Sequence, residues 1–239
     1  MRLGLARSQD IEAFRSVSRS HVGRVRQVNE DRVLDRPDRG LWAVADGMGG
    51  HRGGDIAAEL AIAALRGVAD ADSPVRGEAI LAALESANGQ ILARSEAAGG
   101  VIGSTIVALH VAEGEAQIFW AGDSRAYRAR DGRWEQATRD HSLVQQLVDE
   151  GLIDREQARR HPQAHVITRA LGVEGKVEVE RVSFAVEPGD VLLLCSDGLS
   201  RSLGGNGTGA DEQAAERLLT EALEKDGSDN ITFVLVGIG

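Results

Sequence analysis

Leu41-Trp42-Ala43-Val44-Ala45-Asp46-Gly47-Met48-Gly49-Gly50-His51-Arg52-Gly53-Gly54-Asp55 is the stretch whose reading decides the fold. An apolar run ends on an aspartate and a glycine-dense turn follows. A helical pattern on Ile56, Leu60, Ala64 and Val68 comes next. A carboxylate at the tip of a strand, with backbone free to approach it closely, suits a metal or phosphate site. Alone, Asp46-Gly47 reads as no more than the turn between a strand and a helix. The same construction recurs along the chain, and that recurrence changes the reading.

The bulk properties bound the answer. With 239 residues, the chain can bury a sizeable core within one large domain. Hydrophobic residues make up 42% and charged residues 27%, as in an ordinary soluble globular protein. Only 3% is aromatic, so the core must be mostly Val, Leu, Ile and Ala. The net charge of -10 argues against nucleic acid as the main partner, because phosphate backbones are bound by a surplus of Lys and Arg. That acidity fits carboxylates gathered around divalent cations, and solubility alone explains it equally well. Cys195 is the single cysteine, so no intramolecular disulfide is possible, which suits a reducing compartment. No signal-peptide core is visible, and no run approaches the ~20 apolar residues of a membrane span. A cytoplasmic protein without a membrane segment is expected.

Along the chain, residues 1–14 carry no pattern and read as a loosely held arm. Ser16 to Leu34 reads as strands around a polar turn. A second helix is expected from Ser73-Pro74, with Ile80, Leu84, Asn88 and Ile91 at helical spacing. The period then switches to two at Thr105, Val107, Leu109 and Val111. Glu113-Gly114 and Asp131-Gly132 punctuate what reads as one antiparallel meander. Residues 142–160 turn helical again. Strands are expected at Val177–Val186, Val191–Cys195 and Ile231–Ile238, with an amphipathic helix over 210–224 on Ala214, Leu218, Leu219 and Ala222. Glycines at 204, 205, 207 and 209 read as a flexible loop, not a boundary. Antiparallel strands interrupted by two pairs of helices give an α+β layered fold, expected as a single domain over residues 1–239.

Three apolar runs end on aspartate, at Asp46, Asp123 and Asp197, and Asp229 begins a fourth. An antiparallel strand starts where its neighbour ends, so one sheet edge can collect all of these carboxylates. Glu30-Asp31 lies in a polar turn able to join them. An oxygen-only cluster without Cys or paired His selects hard cations, Mg²⁺ or Mn²⁺, over zinc. Two such ions roughly 3.5–4 Å apart are a device for in-line attack on phosphorus. Clustered carboxylates without a cation would repel one another and could not all stay ionised. The competing reading is that each aspartate caps its own turn.

At this point the motifs carry a resemblance. They are Arg26-Gln-Val-Asn-Glu30-Asp31, Asp46-Gly47-Met-Gly-Gly-His51, Gly103-Ser104-Thr105, Gly122-Asp123-Ser-Arg125, Asp140-His141-Ser, Ile167-Thr168-Arg-Ala-Leu-Gly172, Cys195-Ser-Asp197-Gly198-Leu and Ser228-Asp229-Asn230. In this order and spacing the chain, from Ser18 to Val236, resembles the bacterial branch of the type-2C metal-dependent protein serine/threonine phosphatases, within the PPM superfamily. The resemblance implies a four-layer α-β-β-α sandwich, two antiparallel sheets flanked by helices. It implies that Asp46 bridges two Mn²⁺ or Mg²⁺ ions, with the Gly47 carbonyl on one and Asp197 and Asp229 on the other. Glu30 and Asp31 would hold metal-bound waters, and Asp123 with Asp197 would form a weaker third site. Arg26 would clamp the substrate phosphate with its planar fork. The implied partners are phosphorylated proteins, among them a Ser/Thr kinase and its substrates.

Pattern alone reads Arg26 as a solvated strand residue; its place four residues before Glu30 in the family motif implies the other role. His51 and His141 read as structural, so the general acid is unassigned. His161 and His165 fall in the 154–170 region, which corresponds to the flap that varies within the family. Two rivals remain. Cys195 through Arg201 fits the Cys-x5-Arg signature of phosphatases that attack with a thiolate. Leu194 precedes that cysteine, however, and Asp197 would put negative charge inside the anion cradle. A catalytically inert, phosphatase-like binding module would be expected to lack at least one metal carboxylate. After Leu199, other family members continue into an acidic helix, and this chain runs into Ser200-Arg-Ser-Leu-Gly-Gly-Asn-Gly-Thr-Gly instead.

Overall fold

The computed structural model describes residues 14–49 and 53–239. His51 and residues 1–13 of the expected arm lie outside the described residues. Phe14, the last residue of that arm, packs edge-on against Trp42 with ring centroids 5.2 Å apart.

The chain opens with β1 (Arg15–His21), β2 (Asp31–Arg36) and β3 (Leu41–Gly49), then pairs α1 (Gly54–Asp70) with α2 (Gly77–Ala98). A short β4 (Ile102–Ser104) leads into β5 (Ile106–Ala112), β6 (Glu115–Ala121), β7 (Arg125–Arg130) and β8 (Arg133–Gln136). Two short helices follow, α3 (Leu143–Asp149) and α4 (Arg155–Arg159). The last elements are β9 (Glu180–Ala185), β10 (Val191–Cys195), α5 (Asp197–Ser200), α6 (Glu212–Lys225) and β11 (Ile231–Gly237). One sheet runs β1-β11-β10-β7-β8. The other runs β2-β3-β5-β6-β9, with β4 added alongside β3. The pairings within both sheets are antiparallel.

Period-two alternation builds the layers. In β10, Leu192 and Leu194 point into the space between the sheets, where they meet Val107, Leu109 and Ile118 of the second sheet. Leu193 and Cys195 point the other way, onto Ala214, Ala215 and Ala222 of α6. In β5, Ile106 and Ala108 turn outward to α1 and α2, packing on Ala61, Ile62, Leu65, Ile80 and Leu84. The cores stack as helix on sheet, sheet on sheet and sheet on helix, which is the expected α-β-β-α sandwich. Each fully buried Leu, Val or Ile contributes roughly 1.5–3 kcal/mol relative to exposure. Central strands buried on both faces carry the largest share, which is why β5, β10 and β11 read as near-continuous apolar runs.

Several expectations are corrected. The run ending on Asp46 does not stop there: β3 continues to Gly49 by pairing Gly47, Met48 and Gly49 with Ser104, Gly103 and Ile102 of β4. The buried stripe of α1 is Ala57, Ala58, Ala61, Ile62, Leu65 and Ala69, one position along from Ile56, Leu60, Ala64 and Val68. Small alanines let the helix lie close to the sheet, so the larger residues flank the contact. The second helix begins at Gly77, not at Ser73-Pro74. The strand at 177–186 is trimmed to Glu180–Ala185, while Val177 and Val179 pack on the α1–α2 core as loop.

The single meander is also broken. β5 and β6 belong to one sheet and β7 and β8 to the other, and the chain crosses between them at Gly122-Asp123. Gly122 makes the crossing with φ 118°, and a Cβ there would lie 2.6 Å from Thr105 Cβ. The glycine-rich loop is held against an edge strand: Trp134 N–H donates to Gly205 O (3.1 Å) and Gly207 N–H to Gly132 O (2.9 Å). That covers the backbone of β8, which would otherwise be an open sheet edge. Among the described residues no helix is long and apolar enough to cross a membrane.

Candidate metal centre

Both sheets deliver carboxylates to the same end of the sandwich. Asp31 opens β2 directly opposite Asp46 on β3. Asp123 follows β6, Asp197 opens α5 just after β10, and Asp229 precedes β11. The expectation of one sheet edge is therefore corrected to the mouth between two sheets, with Asp31, Asp46 and Asp123 on one side and Asp197 and Asp229 on the other.

Backbone contacts hold this mouth in shape. Asp46 is gripped by the Gly103-Ser104-Thr105 motif: its carbonyl accepts from Thr105 N–H (2.9 Å) and Ser104 Oγ (3.1 Å). Its own N–H donates to Thr105 Oγ1 at 3.2 Å, and that hydroxyl meets Ser124 Oγ at 2.7 Å. Gly47 lies so close to the start of α1 that a Cβ would stand 2.0 Å from Gly54 O. A Cβ on Gly54 would in turn meet Glu30 Oε1 at 2.7 Å. Two side-chain-free residues thus bring the Asp46 turn, the Glu30 carboxylate and a helix N-terminus together.

Electrostatics set the character of the site. Burial, then the charges of Asp31, Asp197, Asp123 and Asp229, push the Asp46 carboxyl well above its ordinary range. Burial pushes Asp31 up to about 7; hydrogen bonds from Ser196 and Thr232 oppose the rise, and Asp197 and Asp229 add to it. Asp123 is likewise pushed up to about 7, by burial and then by Asp197 and Asp140. Burial raises Asp197 against the pull of Arg201. Burial and Asp55 raise Glu30, opposed by the Gly54 backbone N–H. The common cause is negative charge crowded into a poorly solvated mouth.

Two arginines answer part of that charge. Arg26 Nη2 donates to Asp229 Oδ2 at 2.9 Å, and Arg201 is ion-paired with Asp197. Arg125 is not free to join them, because Asp140 takes its fork at 2.9 and 2.6 Å and the Tyr127 hydroxyl receives Nη1 at 3.1 Å. Among the described residues no three Asp, Glu, His or Cys side chains form a ready-made ligand cage. The donor set nonetheless fits hard divalent cations. Every candidate ligand is an oxygen, Asp31 Oδ1 is buried without a hydrogen-bond partner, and no cation offsets the rise of Asp31 or Asp46.

Some residues that hold the centre were quoted in the sequence motifs without a role. Ser196 Oγ donates to Asp31 Oδ2 (2.8 Å), fixing one carboxylate oxygen and leaving the other to face the mouth. Asn230 spans the Arg26 loop. Its Nδ2 donates to Val22 O and Val28 O, each at 3.0 Å, and its Oδ1 accepts Glu30 N–H at 2.8 Å. An asparagine directly after a candidate ligand, as in Asp229-Asn230, is the signal that could have found it.

His141 is structural, as expected. Gly122 N–H donates to its Nδ1 (3.1 Å), leaving Nε2 for Glu180 Oε1 at 3.1 Å, and its ring stacks on Trp120. Burial, then the charge of Arg169, lowers its pKa. Cys195 is fully buried against α6, and burial pushes its thiol up to about 12. Arg201 turns to Asp197 and does not cradle the sulfur.

Two antiparallel sheets packed face to face between helices, with oxygen donors gathered from both at one end, define the class: an α-β-β-α sandwich built around a carboxylate-rich mouth. A family model described as Protein phosphatase 2C matches residues 18–232, and the chain belongs to that family. It is 37% identical to the serine/threonine phosphatase stp of Listeria monocytogenes, over 91% of this chain and 93% of that protein. Among solved structures, PppA, described as a key regulatory component of T6SS in Pseudomonas aeruginosa, matches with a TM-score of 0.85 and 39% identity. That match covers 95% of this chain and 98% of PppA. The catalytic domain of the serine/threonine protein phosphatase PstP, solved in complex with two manganese ions, matches with a TM-score of 0.82 and 38% identity, over 94% of this chain and 97% of that domain.

Proposed function

We propose that the protein is a metal-dependent phosphoprotein phosphatase that hydrolyses phosphoserine and phosphothreonine by in-line attack of water, opposing a Ser/Thr protein kinase in the cytoplasm. One observation carries this reading: carboxylates from both sheets converge beside Arg26 in a chain of the protein phosphatase 2C family. Asp46, the Gly47 carbonyl, Asp197 and Asp229 would together hold two Mn²⁺ or Mg²⁺ ions, with Asp46 the ligand shared by both. Asp123 with Asp197 would hold a weaker third. When bound, the cations supply a water acidic enough to act as nucleophile near neutral pH and positive charge for the phosphoryl oxygens.

The chain's own residues do the rest. Glu30 and Asp31 accept hydrogen bonds from water and keep it oriented in the mouth. The Ser196 hydroxyl on one Asp31 oxygen leaves the other, now without a partner, to take that water. Arg26 carries two parallel N–H donors to the substrate phosphate, a planar match to its equatorial oxygens. It reaches them from a loop that Asn230 ties down at both ends. No side chain needs to form a covalent intermediate, so the buried Cys195 has no part in the reaction.

The deciding experiment is hydrolysis of a phosphothreonine peptide and of para-nitrophenyl phosphate, with EDTA and then with Mn²⁺ restored. Loss and recovery of turnover are expected, with Cys195→Ser behaving as wild type. Turnover that survives thorough chelation, or that vanishes in Cys195→Ser, would overturn the metal reading. Asp46→Asn is expected to stay folded and lose nearly all turnover; a near-native rate in that variant would refute the bridging role.

A further inference from the structure

Arg201 is left over from the Cys-x5-Arg pattern, because it neither approaches Cys195 nor belongs to the phosphatase motifs. It sits one turn after Asp197, at the end of the short helix α5, and its guanidinium is ion-paired with the Asp197 carboxylate. Its side chain is 41% exposed while that of Asp197 is 18% exposed, so the arginine lies across the carboxylate from the solvent side. The arrangement on Asp229 is similar, but Arg26 reaches Asp229 from a distant loop, whereas Arg201 is tethered four residues away on the same turn. Among the described residues, the arginines that salt-bridge the site's aspartates are Arg26 on Asp229 and Arg201 on Asp197. Arg125, the other cation near Asp123, is held by Asp140 and Tyr127.

We propose that Arg201 is a tethered counter-charge that competes with divalent cation for Asp197, so that this chain binds its metal more weakly and releases it more readily than the carboxylate set alone would. This rests on the metal reading above. A cation taking Asp197 Oδ2 must displace the guanidinium from that oxygen, and one on the other oxygen still shares the carboxylate with it; the arginine remains within one turn as an intramolecular competitor at high effective concentration. Its positive charge also repels an incoming divalent ion in a mouth where burial weakens solvent screening. Both effects act in the same direction. Arg201 is therefore a positioning residue acting through Asp197, not a catalytic one.

The test is Mn²⁺ binding to the EDTA-stripped full chain, followed by isothermal titration calorimetry and by the loss of free-Mn²⁺ electron paramagnetic resonance signal. Wild type, Arg201→Ala and Arg201→Lys are compared at low and high ionic strength. Arg201→Ala is expected to tighten binding of the Asp197-dependent ion about 3- to 10-fold, the effect of losing a partly exposed ion pair together with a nearby repulsive charge. Arg201→Lys keeps the charge without the fork and should fall between the two. The gain in Arg201→Ala should shrink as salt rises, a response that simple loosening of α5 would not produce. Thermal melting without metal checks that each variant is folded; should Arg201→Ala fail to fold, Arg201→Gln takes its place. Equal or weaker Mn²⁺ binding in the folded alanine or glutamine variant would overturn the role of Arg201 and leave the metal centre standing. Absence of Mn²⁺ binding by wild type would overturn the metal centre itself, and the role of Arg201 with it.

Discussion

Asn230 is the sharpest point at which to strain the link between fold and site. Its amide is 6% exposed and makes three hydrogen bonds to backbone on both sides of Arg26: to Val22 O, to Val28 O and from Glu30 N–H. Asn230→Ala leaves all three backbone groups without that partner. These three bonds are part-buried, so water can replace them in part; at the lower end of the ~0.5–1.5 kcal/mol net worth of a hydrogen bond, the sum is about 1.5 kcal/mol of folding stability. Asn230→Asp keeps an acceptor for Glu30 N–H but turns an oxygen toward two carbonyl oxygens and adds a carboxylate beside Asp229. In EDTA it should be at least as destabilising as alanine, despite its near-identical shape. Because the loop carries Arg26, both variants should also raise KM for a phosphothreonine peptide more than they lower kcat. Urea unfolding in EDTA and steady-state kinetics with Mn²⁺ read the two effects separately. If both variants unfold within ~0.5 kcal/mol of wild type, the additive hydrogen-bond reasoning is wrong; an unchanged KM would show that Asn230 does not position Arg26.

Three more outcomes are expected. Gly122→Ala must place a side chain at φ 118° and 2.6 Å from Thr105 Cβ; it should cost about 3 kcal/mol, read as a lowered Tm, and a wild-type melt would refute the crossing geometry. In EDTA, stability should fall as pH rises from near the ordinary carboxylate pKa of 3.8 to about 7. Asp31 and Asp123 hold their protons to about 7 when folded, so in that window the native state binds more protons than the unfolded chain. Saturating Mn²⁺ should flatten or reverse that slope, and a chelated protein whose stability rises over the same range would contradict the crowded-carboxylate picture. Cys195, with its thiol pushed up to about 12 and its side chain fully buried, should resist iodoacetamide at pH 8 until urea unfolds the chain. Rapid labelling of the native protein would place the cysteine on the surface.

Much of the site was legible because its residue types have few other uses in those positions. An aspartate at the end of an apolar run, followed by glycine, is poorly explained by packing, and its repetition at Asp46, Asp123 and Asp197 marked a shared purpose. The strand boundaries at Val191–Cys195 and Ile231 were also readable, since alternation and turn residues delimit them locally. Helix faces were harder. The stripe of α1 was misplaced by one position because alanine is a weak hydrophobic marker, yet alanines are what a close helix–sheet contact selects. The glycine-rich loop looked flexible because its partner, the edge of β8, lies some seventy residues earlier in the chain.

By itself, then, the sequence determined the chemistry on offer, oxygen donors and one cysteine, while the phosphate role of Arg26 was what the family resemblance implied. It also determined an α+β layered architecture through the period-two runs and the helical patterns between them, while the two-sheet sandwich was what the family resemblance implied. Only the tertiary structure decided which sheet each run joins, because the switch at Gly122 depends on contact with Thr105. Only it decided that the carboxylates face one another across a mouth between sheets, that Ser196 and Asn230 hold them there, and that Arg201 lies on Asp197. Pairing, burial and charge crowding are relations between residues distant in the chain, and no local pattern encodes the distance at which two carboxylates begin to repel.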